Sequence, residues 1–187
     1  DLLGFGRRMM TIAPDEMADY TLYQLGALAA LAKSEGVTVA HVKPHGAFYK
    51  ACSVDMTMSA AIGAAIASYD PNLILVLLAG PGADAAQAAG ARVAREAFID
   101  LDYDAGGGLI IERIAKPRDP ALVAQRAVRV VREAKLTTAG GRDIDVRAST
   151  LCLHGDRPNS AKVAQAVKET LLANGIRLAP LQQLGTL

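Results

Sequence analysis

The segment that most constrains the fold runs from Leu73 to Ala79, an unbroken apolar stretch closed by Gly80-Pro81-Gly82. A strand with one wet face alternates apolar and polar residues. A continuous run is what a strand covered on both faces needs, and that is the pattern of a parallel sheet. Parallel strands require long crossovers, and the flanking sequence supplies helices for them. Pro14 opens a helix with Asp15 and Glu16 in its first turn, where they suit the helix dipole, and Gly36 ends it. Further helices are expected over 54–69, from Pro81 to near Gly90, from Asp119 to Lys135 and from Pro158 to Asn174. Strands are expected over 37–43, 92–99, 149–153 and 176–178, and Ala139-Gly140-Gly141-Arg142 reads as a hairpin turn between short strands. Asp100 to Gly108 reads as a loop. Strand and helix alternate throughout, which argues an α/β fold, either a barrel or a doubly wound sheet.

At 187 residues the chain fits one domain and can bury a real core. Aromatic residues are scarce and Trp is absent, so Ala, Val and Leu must build that core. In the first helix Leu22, Leu25, Leu28, Ala29, Leu31 and Ala32 go almost all the way round, so it should be covered on more than one side, by further chain or another subunit. The net charge is +1 with dispersed Lys and Arg, which excludes an electrostatic nucleic-acid partner. Cys52 and Cys152 have no metal-type spacing, and Cys152 lies in an apolar run as a small buried hydrophobe. The Leu73–Ala79 run is too short to span a bilayer, and no segment has the make-up of a signal peptide. A cytoplasmic protein with reduced thiols and no membrane partner is the expectation.

All three histidines lie in two segments where an apolar strand runs into His-Gly. Chemistry collects at strand ends in parallel α/β folds. In the first segment, Lys43 and His45 flank Pro44, which stiffens the strand exit. Lys43 suits an anionic substrate group or developing negative charge, and His45 suits acid/base work or metal ligation. The plainer alternative is a solvated lysine and a capping histidine. His41 shares a strand face with Lys43 and reads first as a satisfied core group. In the second segment, His154-Gly155-Asp156 places an imidazole and a carboxylate on one turn, able to bind a metal or relay a proton. Alternatively, Asp156 caps the helix that begins at Pro158.

Asp100, Asp102 and Asp104 form a D-x-D-x-D run without the Glu that a calcium loop requires, so Asp104 reads as structural and Asp100 and Asp102 stay open. Gly106-Gly107-Gly108 lacks a following Lys-Ser/Thr and is not a phosphate loop, and Gly80-Pro81-Gly82 is a turn.

Taken together, Gly4-Phe5-Gly6-Arg7-Arg8, His41-Val42-Lys43-Pro44-His45-Gly46-Ala47-Phe48-Tyr49 and Cys152-Leu153-His154-Gly155-Asp156 resemble the LamB/YcsF family, over nearly the whole chain. Its characterised members are the A subunit of bacterial ATP-dependent 5-oxoprolinase. The resemblance implies a distorted β/α barrel similar to polysaccharide deacetylases. On that reading residues 1–187 form a single α/β domain, the C-terminal three quarters of a family barrel lacking its first strands. It also implies ATP-driven opening of the lactam of 5-oxo-L-proline to L-glutamate, with the B and C subunits as partners. ATP would then be used by the complex, with no P-loop in this chain; a divalent metal and self-association stay open. Lys43, His45, His154 and Asp156 become the expected catalytic residues, and His41, Asp100, Tyr103 and Arg7 the expected substrate contacts.

Two departures bear on substrate identity. The family's Phe-Ala-Asp-Arg-x-Tyr is here Phe98-Ile99-Asp100-Leu101-Asp102-Tyr103, with Leu101 in place of arginine. A later Leu-Val-Pro-Arg-Ser is here Leu109-Ile110-Ile111-Glu112-Arg113, with the arginine displaced. Arginine suits bidentate carboxylate recognition, so another lactam, amide or acylated sugar becomes an alternative substrate. A metal-dependent deacetylase or amidohydrolase of related fold, and a non-catalytic remnant that binds partner subunits, are the rival readings.

Overall fold

The structure, a computed structural model, describes residues 1–112 and 114–184. Arg113, the displaced arginine, lies outside the described residues. The chain divides into two compact units, Asp1–Arg95 with the segment from Leu181 onward, and Glu96–Pro180.

The first unit contains α1 (Pro14–Ser34), β1 (His41–Val42), α2 (Ala47–Val54), α3 (Met56–Tyr69), β2 (Ile74–Leu78), α4 (Pro81–Ala88) and the start of β3 (Arg92–Phe98). β2 is buried on both faces, as its continuous apolar run requires. Leu75 and Leu77 join Leu25, Ile62, Ile66, Ala83 and Ala86 on one side. Ile74 and Val76 join Ala94 on the other, with Leu181 against them. β1 pairs parallel with β2, His41 opposite Ile74 and Val42 opposite Leu75.

α3 starts where Asp55 accepts from the Thr57 and Met58 N–H groups at 2.9 and 3.1 Å. It packs closely on α4, because a Cβ at Gly63 would sit 2.7 Å from the Ala86 carbonyl oxygen. Gly82 makes the same kind of approach between α4 and α2, where a Cβ would run into the Cys52 carbonyl.

Two expectations for this unit change. The strand over 37–43 shortens to His41–Val42, with Val37 and Thr38 exposed and Pro44 ending the ladder. α2 forms where no helix was expected, directly after Gly46. α1 buries only Thr21 and Leu25; Tyr23, Leu28 and Leu31 remain exposed. Among the described residues no single helix is long and apolar enough to cross a membrane. α2 and α3 reach that length only as a pair bent by 108°.

The second unit contains the end of β3, β4 (Asp102–Tyr103), β5 (Leu109–Ile110), α5 (Pro120–Glu133), β6 (Lys135–Thr137), β7 (Asp143–Asp145), β8 (Thr150–Cys152) and α6 (Ser160–Ala173). β3 pairs parallel with β8 in the register Glu96–Thr150, Ala97–Leu151 and Phe98–Cys152. α5 buries Val123, Ala124, Ala127 and Val130, one stripe at helical spacing, and packs against α6. The expected hairpin forms between β6 and β7. β4, inside what reads as a loop, forms a second small antiparallel pair with β5 directly after it, and residues 176–178 form no strand.

The architecture is therefore mixed α/β, with a four-stranded sheet ordered β1-β2-β3-β8. Among the described residues that sheet keeps two edges and does not close into a barrel.

Candidate active site

The β3–β8 register builds the site. Phe98 and Cys152 lie opposite each other at the strand ends, so the residues two further on, Asp100 and His154, emerge side by side. Asp100 is almost fully buried, with 1% of its surface exposed. It accepts from the His154 backbone N–H at 2.8 Å through Oδ2. Its Oδ1 and Oδ2 lie 2.9 and 3.1 Å from the imidazole Nδ1. A carboxylate only accepts, so Nδ1 carries the hydrogen and Nε2 keeps its lone pair. The His154 side chain is about one-third exposed, and its ring stacks on Phe98 with centroids 5.4 Å apart. A fixed Nε2 lone pair on a partly open imidazole is the geometry of a general base.

A chain of alternating charges lies behind this pair. Arg157 Nε donates to Asp100 Oδ2 at 3.2 Å. Its Nη1 donates to Glu112 Oε2 at 2.7 Å and to the Lys116 carbonyl at 2.8 Å. Arg118 Nη2 donates to Glu112 Oε1 at 3.3 Å and to Asp102 Oδ2 at 3.1 Å. Arg126 reaches the other oxygen of Asp102 at 3.2 Å and the Leu101 carbonyl at 2.6 Å. The Asn159 amide holds the Arg118 backbone on both sides, donating to its carbonyl at 2.7 Å and accepting its N–H at 3.1 Å.

Burial by itself would raise the Asp100 carboxyl, but the hydrogen bonds from His154 and the charge of Arg157 hold it below its ordinary value. Asp102 is likewise lowered against burial, by Arg126 and Arg118. Glu112 is lowered chiefly by its bond from Arg157.

The structure thus gives His154 a carboxylate partner, Asp100, in place of the neighbouring Asp156. Asp156 is exposed on the turn, and it does not cap a helix at Pro158, since α6 begins at Ser160 with Asn159 before it. Tyr103 lies in the core of its unit, where its hydroxyl accepts the Phe98 N–H at 2.8 Å, and burial pushes the phenol well above its usual range.

Arg7, His41, Lys43 and His45 belong to the other unit. There, Ala47 N–H donates to the Gly6 carbonyl at 2.8 Å. Gly46 has φ +59° and a Cβ on it would strike that same oxygen, so the Gly6-Arg7 backbone rests directly against the turn after His45. Lys43 sits over the Tyr49 ring, 5.8 Å from its centroid. His45 is exposed just past Pro44, and His41 is also exposed, which corrects the expectation of a core histidine.

Sequence reasoning missed Arg157, Glu112 as a partner, Arg118 and Arg126. The only local signal was Arg157 directly following His154-Gly155-Asp156.

The glycine runs are not phosphate cradles. Gly106 and Gly108 donate their N–H groups to Asp104 Oδ1 at 2.8 and 2.9 Å, so those donors are already used and Asp104 is structural. Gly82 is a packing glycine. Among the described residues no three His, Cys, Asp or Glu side chains gather to hold a metal, and His154 Nδ1 is committed to Asp100.

The fold and the dyad define an α/β protein with an oriented histidine at the end of a parallel strand pair. The chain belongs to the LamB/YcsF family, whose model matches residues 1–186. It is 43% identical to the A subunit of a 5-oxoprolinase from Syntrophobacter fumaroxidans, over 97% of this chain and 73% of that protein. It is 45% identical to the corresponding protein of Thermus thermophilus, over 95% of this chain and 72% of that protein. A crystal structure of a lactam utilization protein from Thermus thermophilus superimposes with a TM-score of 0.82 at 42% identity, covering 95% of this chain and 72% of that one.

Proposed function

We propose that this chain is the A subunit of an ATP-dependent 5-oxoprolinase, a cytoplasmic hydrolase that opens the lactam of 5-oxo-L-proline to L-glutamate with B and C subunits. The observation that carries the reading is the Asp100–His154 dyad in a chain so similar to proteins of that name. His154 Nε2 takes a proton from the water that attacks the lactam carbonyl, and Asp100 stabilises the imidazolium that results. The same proton returns to the ring nitrogen as the C–N bond breaks, leaving an amine and a carboxyl group whose remaining proton passes to the amine or to solvent. Lys43 supplies a positive charge in its own unit, suited to an anionic group. On this reading ATP is used by the assembled complex.

The test is 5-oxoproline turnover by the full-length protein with its partner subunits, with and without ATP, compared with His154→Gln. ATP-dependent glutamate release that falls about 10²–10⁴-fold in the variant is the expected outcome. Release of acetate from an acetylated sugar without ATP, and no glutamate, replaces the reading with a deacetylase.

A further inference from the structure

Arg157 is the least exposed cation near the dyad, with 4% of its side chain accessible, and it bridges two carboxylates. Its Nε meets Asp100 Oδ2, the oxygen that also accepts the His154 amide. On the far side, Nη1 is anchored twice, by Glu112 Oε2 and the Lys116 carbonyl. Two anchors on one nitrogen and a third bond through Nε fix the planar guanidinium in a single orientation, which a lysine at this place could not reproduce. Glu112 is itself fixed by Arg118, whose backbone is clamped by Asn159. The chain Asn159–Arg118–Glu112–Arg157–Asp100–His154 therefore runs unbroken from the loops before α5 and α6 to the imidazole.

We propose that Arg157, braced by Glu112, is the positioning residue of this site: it keeps Asp100 ionised and in one rotamer, so that His154 presents a bare Nε2. This rests on the reading of His154 as the proton-transfer group. Without Arg157, Asp100 would be a buried carboxylate left, among the described residues, with its bonds from His154. It would take up a proton more readily, and a protonated carboxyl can donate to Nδ1 instead of accepting from it. That reversal moves the imidazole hydrogen to Nε2 and removes the base. The charges around the imidazole in its own unit are Asp100 in contact, Arg157 behind Asp100, Glu112 behind Arg157, and Asp156 on the adjacent turn.

The experiment has two readouts on the full-length protein. One is the pH titration of the Asp100 carboxyl carbon by NMR in the protein alone. The other is kcat and KM for lactam opening in the assembled complex. In Arg157→Met, Asp100 is expected to titrate at higher pH and kcat to fall about 10–100-fold, with KM nearly unchanged. Arg157→Lys, which keeps the charge but not the fork, should restore the Asp100 titration and only part of kcat. If Arg157→Met does not fold, Glu112→Gln decides, because it removes the brace and leaves Arg157 in place. It should lower kcat while Asp100 stays ionised to the same pH or lower. A folded Arg157→Met with parental Asp100 titration and parental kcat overturns the proposal, as does an unchanged kcat in Glu112→Gln. Failure of the parent to open any lactam would sink the activity instead, and the NMR titration would still decide the role of Arg157.

Discussion

Asp100 Oδ2 accepts from two separate donors, and Oδ1 takes the imidazole, so the carboxylate has little freedom to substitute. Asp100→Asn keeps the shape but turns one acceptor into a donor. The amide would either face Arg157, putting two donors together, or face Nδ1 and force the hydrogen onto Nε2. We expect the variant complex to lose about 10²–10⁴-fold in kcat with little change in KM, measured by steady-state 5-oxoproline hydrolysis. Parental turnover would mean that His154 needs no orienting partner. This pairing was only half legible in the sequence. His154 stood out because it follows a strand, but its partner lies 54 positions away. That partner is set by the register of β3 against β8, which no local pattern encodes. Asp156, the carboxylate close in sequence, was the natural choice, and the turn points it to solvent. Leu101 is nearly fully buried where the family pattern has arginine, while Glu112 holds two arginines of this chain. The departures therefore change what fills the interior and how its charges are paired.

Elements whose signals are local were read well: the doubly buried β2, the Pro14 and Asp119 helix starts, and the hairpin at Gly140-Gly141. α2 was missed because its eight residues are too few to show a helical period, and its helicity depends on packing against α3 and α4. Residues 176–178 alternate Ile, Arg and Leu as a strand would, but they pair with no strand among the described residues. The α2–α4 contact yields a test. Gly82 and the Ser59 hydroxyl both meet the Cys52 carbonyl, Ser59 at 2.5 Å. Gly82→Ala must push α4 away from α2, at a cost of about 1–3 kcal/mol, seen as a lower Tm. Cys52 reports the same event. Burial pushes its thiol up to about 12, so iodoacetamide at pH 8 should spare it in the parent and label it faster in Gly82→Ala. Equal labelling in both proteins would show that the helices repack without opening.

At the scale of the molecule, the carboxylates with lowered pKa are unevenly placed. Asp100, Asp102, Glu112 and Asp143 all belong to the Glu96–Pro180 unit. Asp143 is held at about 2 by Arg129 and Thr137, which tie the β6–β7 hairpin to α5. A carboxyl with a lowered folded-state pKa stabilises the fold fully above its unfolded value, near 4, and loses that contribution as pH falls through the folded value. All four groups act in this direction, so acid should loosen this unit over the window from about pH 4 down to about pH 2. The other unit is built on the apolar clusters around β2, which do not titrate. Hydrogen exchange read by mass spectrometry, corrected for the intrinsic pH dependence of amide exchange, distinguishes the two. Peptides from α5, β6, β7 and α6 should lose protection first, while those from α3 and β2 keep theirs. In Asp143→Asn the hairpin peptides should already be less protected at pH 7 and should change less on acidification. If α3 and β2 opened at the same pH as α5, the arginine–carboxylate chain would not be what sets the acid limit of the fold.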